Sequence, residues 1–236
     1  MSKHNLELLV KAARLLKPLL GELVFVGGST TALLINDRAA AEVRPTYDVD
    51  AIAEITSYAA YAHFSERLRN CGFSEDARDG APICRWHQKE TILDVMPINE
   101  KILGFSNRWY KAAMDSALFH ELEPDLRVRV VNPVYFCATK LEAFAGRGKG
   151  DYQSSHDLED LIAVVDGRSE LANEILAGPK DVRAYTATEI SKLLENPAFL
   201  DALPGYLLPD QASQARVSIL LKRLKTIAAI QPGPRF

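Results

Sequence analysis

The chain has 236 residues, of which 47% are hydrophobic and 25% charged, enough for one large domain or two small ones around a true core. That composition excludes intrinsic disorder over most of the length. With 28 Lys and Arg against 31 Asp and Glu the net charge is −3, which excludes a wholesale nucleic-acid coat but leaves room for a local basic face.

Leu6, Leu8, Leu9, Ala12, Leu15, Leu16 and Leu19 recur at helical spacing, and Pro18 and Gly21 end that helix. Leu23–Val26 is a short apolar run that predicts a buried strand. Gly27-Gly28-Ser29 follows at once, and a second helix is expected over 30–37. Arg44-Pro45-Thr46-Tyr47 breaks the chain before Asp48–Ala53, a strand with acids at its start. A helix is expected over 57–70, ending near Gly72. Residues 83–87 and 91–96 read as two strands joined by Gln88-Lys89-Glu90, the second carrying Asp94 between Leu93 and Val95. Residues 118–122 and 126–131 read as an edge hairpin around Glu123-Pro124-Asp125. From Pro133 the pattern is helical: one helix over 133–145, another over 157–165, and helix throughout 168–230. The tail 231–236 is expected to be loose. There is no internal repeat. The fold class expected is α+β: an α/β domain with a mixed sheet over 1–132, then a helical region over 133–236.

Cys71, Cys84 and Cys137 lie far apart with no CxxC pair. That excludes a zinc ribbon and suits buried free thiols in a reducing compartment. The start, Met-Ser-Lys-His-Asn, lacks the apolar segment of a signal peptide, and no apolar window of about 18 residues occurs, so no membrane span is expected. The expected location is the cytoplasm.

Asp48 and Asp50 are two apart on a strand, so alternation puts both on one face. Two carboxylates there, with no basic residue immediately beside them, repel each other. A divalent cation relieves this, and oxygen ligands suit Mg²⁺. Asp94, on a later strand, completes a set for two metals about 4 Å apart. One metal would hold a triphosphate and the other activate a hydroxyl, with Asp94 placed to bridge that metal or accept the hydroxyl proton. A carboxylate in an apolar run needs a partner in any case, whether metal, base or hydrogen bonds. Gly27 and Gly28 let backbone N–H groups approach a phosphate at a helix N-terminus, and Ser29 is expected to cap that helix and donate to a phosphate oxygen. Taken singly, Gly-Gly-Ser is an ordinary turn and Asp-x-Asp a solvated strand edge. The ordered combination is what is specific.

Val-Gly-Gly-Ser followed by Arg44-Pro-Thr-x-Asp48-Val-Asp50, with a third acid in Thr91-Ile-Leu-Asp-Val-Met, resembles the polymerase-β-type nucleotidyltransferase superfamily. Thr139-Lys140-Leu-Glu-Ala-Phe, Arg147-Gly-Lys-Gly-Asp151-Tyr and Ser155-His-Asp157-Leu-Glu-Asp160-Leu resemble its AbiEii-like branch, which includes abortive-infection toxins and toxin–antitoxin nucleotidyltransferases. The resemblance covers roughly 20–170. It implies an NTP substrate, Mg²⁺, and transfer of a nucleotidyl group to an acceptor hydroxyl, in some toxins the 3′ end of tRNA. It also implies a cognate antitoxin, a triphosphate contact for Lys140, and a late acidic motif at Asp157 and Asp160. Where that motif often has Arg, this chain has His156. The Ser29 to Asp48 spacing is long for the superfamily, which marks 36–46 as an insertion.

The residues of this second block have their own reading. Lys140 sits early in a helix beside Leu141 and Phe144, a position that also suits a solvated face. Arg147 and Lys149 stand among Gly146, Gly148 and Gly150, as a basic loop for a triphosphate or RNA backbone, or as a helix-ending turn. Asp157 and Asp160 share a helix face capped by Ser154 or Ser155, with Asp160 placed to pair with Lys140 and orient it. Trp86 reads as core or as a base-stacking ring. Arg216, Lys222, Arg223 and Lys225 on an amphipathic helix read as a docked helix with a solvated basic side, or as an RNA-contacting stripe. No P-loop lysine, G-x-S-x-G elbow or H-E-x-x-H occurs, and the kinase catalytic loop lacks its Asn.

The expected function is Mg²⁺-dependent nucleotidyl transfer from an NTP to an RNA acceptor, as a toxin of a toxin–antitoxin or phage-defence system. The expected cleft lies between the two domains. Asp48, Asp50 and Asp94 are the metal ligands, and these three with Lys140 are catalytic. Gly27, Gly28, Ser29, Lys140, Asp157 and Asp160 are expected to hold the nucleotide. The alternatives are a non-catalytic nucleotide- or RNA-binding antitoxin or regulator on the same fold, and a nucleotidyltransferase acting on a small molecule such as an antibiotic.

Overall fold

Helix α1 (Lys3–Leu15) forms on the predicted leucine spacing, with Leu9, Ala12, Ala13 and the following Leu16 wholly buried. The computed structural model describes residues 3–230, so the tail 231–236 lies outside the described residues. The chain divides into two compact units. One is Met1–Ala32 with Arg44–Asn132, and the other is Leu33–Val43 with Pro133–Phe236. The fold class is α+β, with one mixed sheet of seven strands among the described residues.

The first unit carries the sheet. Its strands are β1 (Leu23–Val26), β2 (Asp48–Ala53), β3 (Ser74–Glu75), β4 (Arg85–Gln88), β5 (Thr91–Pro97), β6 (Leu118–Glu123) and β7 (Leu126–Val130), in the order β3-β4-β5-β2-β1-β7-β6. The pairs β2–β5 and β1–β7 are parallel and the other neighbours antiparallel. All four residues of β1 are buried, which fits a continuous apolar run covered on both faces. In β2 the acids stand half-exposed while Val49 between them is buried. The remaining helices of this unit are α3 (Tyr58–Asn70), capped by Ser57 Oγ accepting from Ala60 N, and the short α4 (Glu100–Leu103) and α5 (Tyr110–Asp115). Sequence periodicity does not reveal β3, α4 or α5. Elements of two, four and six residues are shorter than the window in which a period shows.

The helix expected over 30–37 is shorter than predicted. A 3-10 turn at Gly28–Thr30 leads into α2 (Thr31–Leu34), which stops after four residues. The cause is a competing partner: the N–H groups of Asn36 and Asp37 both donate to Gly167 O, at 3.0 and 2.9 Å, so 33–43 runs as a strap within the second unit.

The second unit is helical: α6 (Pro133–Arg147), α7 (His156–Gly167), α8 (Leu171–Ala177), α9 (Lys180–Glu195), α10 (Pro197–Ala202), α11 (Gln211–Ala215) and α12 (Val217–Ala228). Prolines 179, 197 and 204 cut the predicted run after 168 into separate helices. Helix α12 docks through Leu220, Leu224 and Ile227, each at most 1% exposed. Its arginine end turns inward. Arg216 Nε donates to both oxygens of Asp166, Arg216 Nη2 donates to Asp37 Oδ2 at 2.7 Å, and Arg223 Nη1 donates to the backbone carbonyls of Val165 and Asp166. Both arginines therefore close the C-terminal turn of α7, and Arg216 also holds the strap. Of the four cations read as an RNA stripe only Lys222 and Lys225 face solvent, and the docked-helix reading stands. Among the described residues, no helix is long and apolar enough to cross a membrane.

Candidate functional site

Strand register assembles the acids. Asp50 is the Cα partner of Asp94 across the parallel β2–β5 pair, and Asp48 lies two residues earlier on the same face. On the far side of β5, antiparallel pairing sets Arg85 opposite Asp94. On the near side, Val26 at the end of β1 is the partner of Asp50. One row therefore crosses four strands as Arg85, Asp94, Asp50 and Val26, and Gly27 follows Val26 directly.

Gly27 has φ 70° and ψ −165°, a region essentially reserved for glycine. A Cβ built there would lie 2.8 Å from Asp50 Cγ and closer still to Oδ2. The Asp50 carboxylate thus rests against the glycine bend, and position 27 excludes any side chain. Ser29 does not cap the helix. It is 1% exposed and its hydroxyl turns back to Val26 O at 3.5 Å, while Thr30 N and Thr30 Oγ1 both donate to Gly27 O. Gly28 is buried, and a four-residue α2 supplies little dipole to the bend.

Two residues that hold this geometry lie outside the motifs that mark the acids and the glycine bend. Asn5, on α1, is fully buried. Its Nδ2 donates to Arg44 O at 2.9 Å and Gly28 O at 3.4 Å, and its Oδ1 accepts from Thr46 N at 3.1 Å. Thr46 Oγ1 in turn donates to Asp48 Oδ1 at 2.9 Å. One side-chain amide therefore ties the glycine bend to the segment that delivers Asp48. Asn5→Ala is expected to destabilise the fold by about 2 kcal/mol, because buried donors and acceptors lose their partner. A urea midpoint unchanged from wild type would refute this.

Arg85 is the other residue. Its Nε donates to Asp94 Oδ1 at 2.8 Å, and its Nη2 donates to Asp94 Oδ2 at 2.7 Å and Asp48 Oδ2 at 2.8 Å. The hydrogen bond to Asp94 holds the guanidinium pKa above its ordinary value. The expectation that no base stands by the acids is thus corrected: Arg85 is remote in sequence from Asp48 but adjacent across the sheet. Trp86 is 1% exposed, which places its ring in the core and ends the base-stacking reading. Cys84 and Cys137 are buried free thiols, and Cys71 is half-buried. Burial, reinforced by the charges of Asp94 and Asp50, pushes the Cys84 thiol up to about 12, so it is no nucleophile at neutral pH.

In the second unit Lys140, Asp157 and Asp160 do come together. Lys140 Nζ donates to Asp160 Oδ2 at 2.6 Å and to Asp157 Oδ1 at 3.3 Å. Arg147 grips Asp157 with two hydrogen bonds of 2.9 Å. Ser155 Oγ accepts from Leu158 N and caps α7. Lys140 is only 8% exposed, so here the ammonium serves its acids and joins α6 to α7.

The donor chemistry of the acid row suits Mg²⁺, but its arrangement does not. Both oxygens of Asp94 and one of Asp48 face the guanidinium, and among the described residues no three acid, His or Cys side chains gather as a metal site.

The α+β fold with its seven-stranded mixed sheet is similar to that of a solved protein. Among solved structures, that of an antigenic nucleotidyltransferase-like protein from Paracoccidioides brasiliensis is similar, with a TM-score of 0.52 and 15% identity over 90% of this chain and 97% of that one. No protein-family model matches the chain, and no curated protein matches it.

Proposed function

We propose that the chain transfers a nucleotidyl group from an NTP to an acceptor hydroxyl. The observation that carries this is the row Asp94–Asp50 set against the Gly27 bend, with Asp48 beside it, on a nucleotidyltransferase-like fold. The acceptor oxygen bonds to the α-phosphorus as the bond to pyrophosphate breaks. The hydroxyl proton passes to a carboxylate of the row, and Asp94 is the one the sequence assigns to it. The finer reading takes Mg²⁺ as cofactor and an RNA 3′ end, such as that of tRNA, as acceptor. It makes the chain a cytoplasmic toxin with a cognate antitoxin, and it rests on the sequence resemblance of the 139–160 block.

The test is incubation with α-labelled NTPs, Mg²⁺ and total tRNA. Label in RNA, with pyrophosphate released and both lost in Asp48→Ala, is the expected result. One observation favours a second reading, a non-catalytic nucleotide- or RNA-binding regulator: Arg85 already pairs with two of the three acids. NTP binding by calorimetry, with no pyrophosphate released from the NTP in the presence of any acceptor, antibiotics included, would establish that reading instead.

A further inference from the structure

The site as built and the cation that such chemistry calls for disagree, and the disagreement centres on Arg85. The carboxylates of Asp48 and Asp94 belong to neighbouring strands, and one guanidinium spans them through three hydrogen bonds of 2.7–2.8 Å. The Arg85 side chain is 21% exposed, Asp48 33% and Asp94 10%, so the group is partly shielded yet opens to solvent on the Asp48 side. A planar fork that takes both oxygens of one carboxylate is the strong form of this interaction. It also occupies the lone pairs that a hard divalent cation would need, and it sets a fixed positive charge where that cation would sit.

We propose that Arg85 is a latch on the acid row: the guanidinium and a divalent cation hold Asp94 and Asp48 in mutually exclusive states, and cation binding requires Arg85 to withdraw. This rests on the nucleotidyl-transfer reading of the same acids, and it adds the residue that sets how much free metal the site demands. Arg85 meets much of the charge that Asp48 and Asp94 bring to this sheet face. The β4–β5 turn gives the latch its position. Gln88 faces Thr91 across the two-residue turn Lys89-Glu90, and that register sets Arg85 on Asp94. A one-residue slip would turn the arginine to the opposite sheet face.

The experiment titrates the full chain with Mn²⁺, a paramagnetic stand-in for Mg²⁺, and reads bound metal by electron paramagnetic resonance with no nucleotide present. Arg85→Gln is expected to bind Mn²⁺ at least tenfold more tightly than wild type, and adding Asp50→Asn is expected to remove that gain. A second readout is thermal. Without metal, Arg85→Gln is expected to melt below wild type because its acids repel, and millimolar Mg²⁺ is expected to raise its Tm more than that of wild type. A merely structural arginine would lower the Tm with no rescue by metal. Should Arg85→Gln fail to fold, Arg85→Lys, which keeps the charge but loses the fork, is expected to bind Mn²⁺ more tightly than wild type. Equal affinity in wild type and variants overturns the latch and leaves nucleotidyl transfer standing. No Mn²⁺ binding in any of them overturns the latch and also removes magnesium from the proposed reaction, which the labelled-NTP assay then judges alone.

Discussion

Asp50→Ala is expected to lower nucleotidyl transfer by about a thousandfold or more while leaving the chain folded. The loss follows from position. Asp50 stands between Asp94 and the β1 end, with its carboxylate against Gly27, so it faces both the acids and the bend. Groups that take a proton or meet charge at a reacting phosphate are each worth about 10²–10⁴ in rate. The fold survives because Asp50 is half-exposed and because its removal relieves like-charge repulsion within the row. Arg85 keeps its hydrogen bonds to Asp94 and Asp48 in the variant. The steric counterpart is Gly27→Ala. The backbone at φ 70° and ψ −165° alone costs a side chain about 1–3 kcal/mol, and the new methyl overlaps the Asp50 carboxylate besides. Combining the two substitutions is expected to recover about 1 kcal/mol of that overlap, a coupling that urea denaturation of the double-mutant cycle reads directly. Transfer by Asp50→Ala above a tenth of the wild-type rate would remove the acid row from the chemistry.

Much of this geometry is legible in the sequence because it comes from strands. Strands β1 and β2 end where their apolar runs end, and a period of two is enough to put Asp48 and Asp50 on one face. The Arg85 pairing was legible too, although the reading of single acids passes over it. Two strands joined across Lys89-Glu90 have partner numbers that sum to 179, which sets 85 opposite 94. Lys89, at φ 52°, supplies the left-handed residue such a tight turn wants. Asn5 was not legible. A polar residue on an amphipathic helix looks solvated until a loop 39 residues further on folds over it. The early end of α2 was hidden for the same reason, since the carbonyl that competes for its backbone belongs to Gly167. Register and alternation are local rules, whereas side chains that serve distant loops answer to tertiary packing.

The buried cluster of the second unit carries the largest expected stability effect. Lys140→Met keeps the length of the side chain but removes the ammonium. It leaves Asp160, 1% exposed, without that partner and leaves Asp157, 7% exposed, to Arg147. Removing one member of a buried ion pair typically costs about 3–5 kcal/mol, because the remaining charge has no compensation. Changing Asp160→Leu in the same chain is expected to recover at least half of that loss, since it removes the buried acid that has lost the ammonium. The pH dependence has a definite sign. Burial pushes the Asp157 carboxyl up, but the Arg147 hydrogen bonds and the Lys140 charge outweigh it and hold the group below its ordinary value. A carboxyl depressed on folding contributes stability above its unfolded value, about 3.9, and loses it as pH falls through the folded value. Wild type is therefore expected to keep this contribution down to about pH 4 and lose it below. Lys140→Met, with burial less opposed, is expected to have a smaller contribution to lose over that acid range. Melting curves between pH 2 and 7 measure both limbs. A Lys140→Met variant as stable as wild type, with an unchanged acid limb, would show that the ammonium does not lock α6 to α7. Only then would a loss of transfer in that variant report contact with a triphosphate. If the stability loss is found, transfer that stays low in the Lys140→Met, Asp160→Leu double variant, where at least half of the stability returns, would report the loss of the Lys140–Asp160 pair from the site and not unfolding.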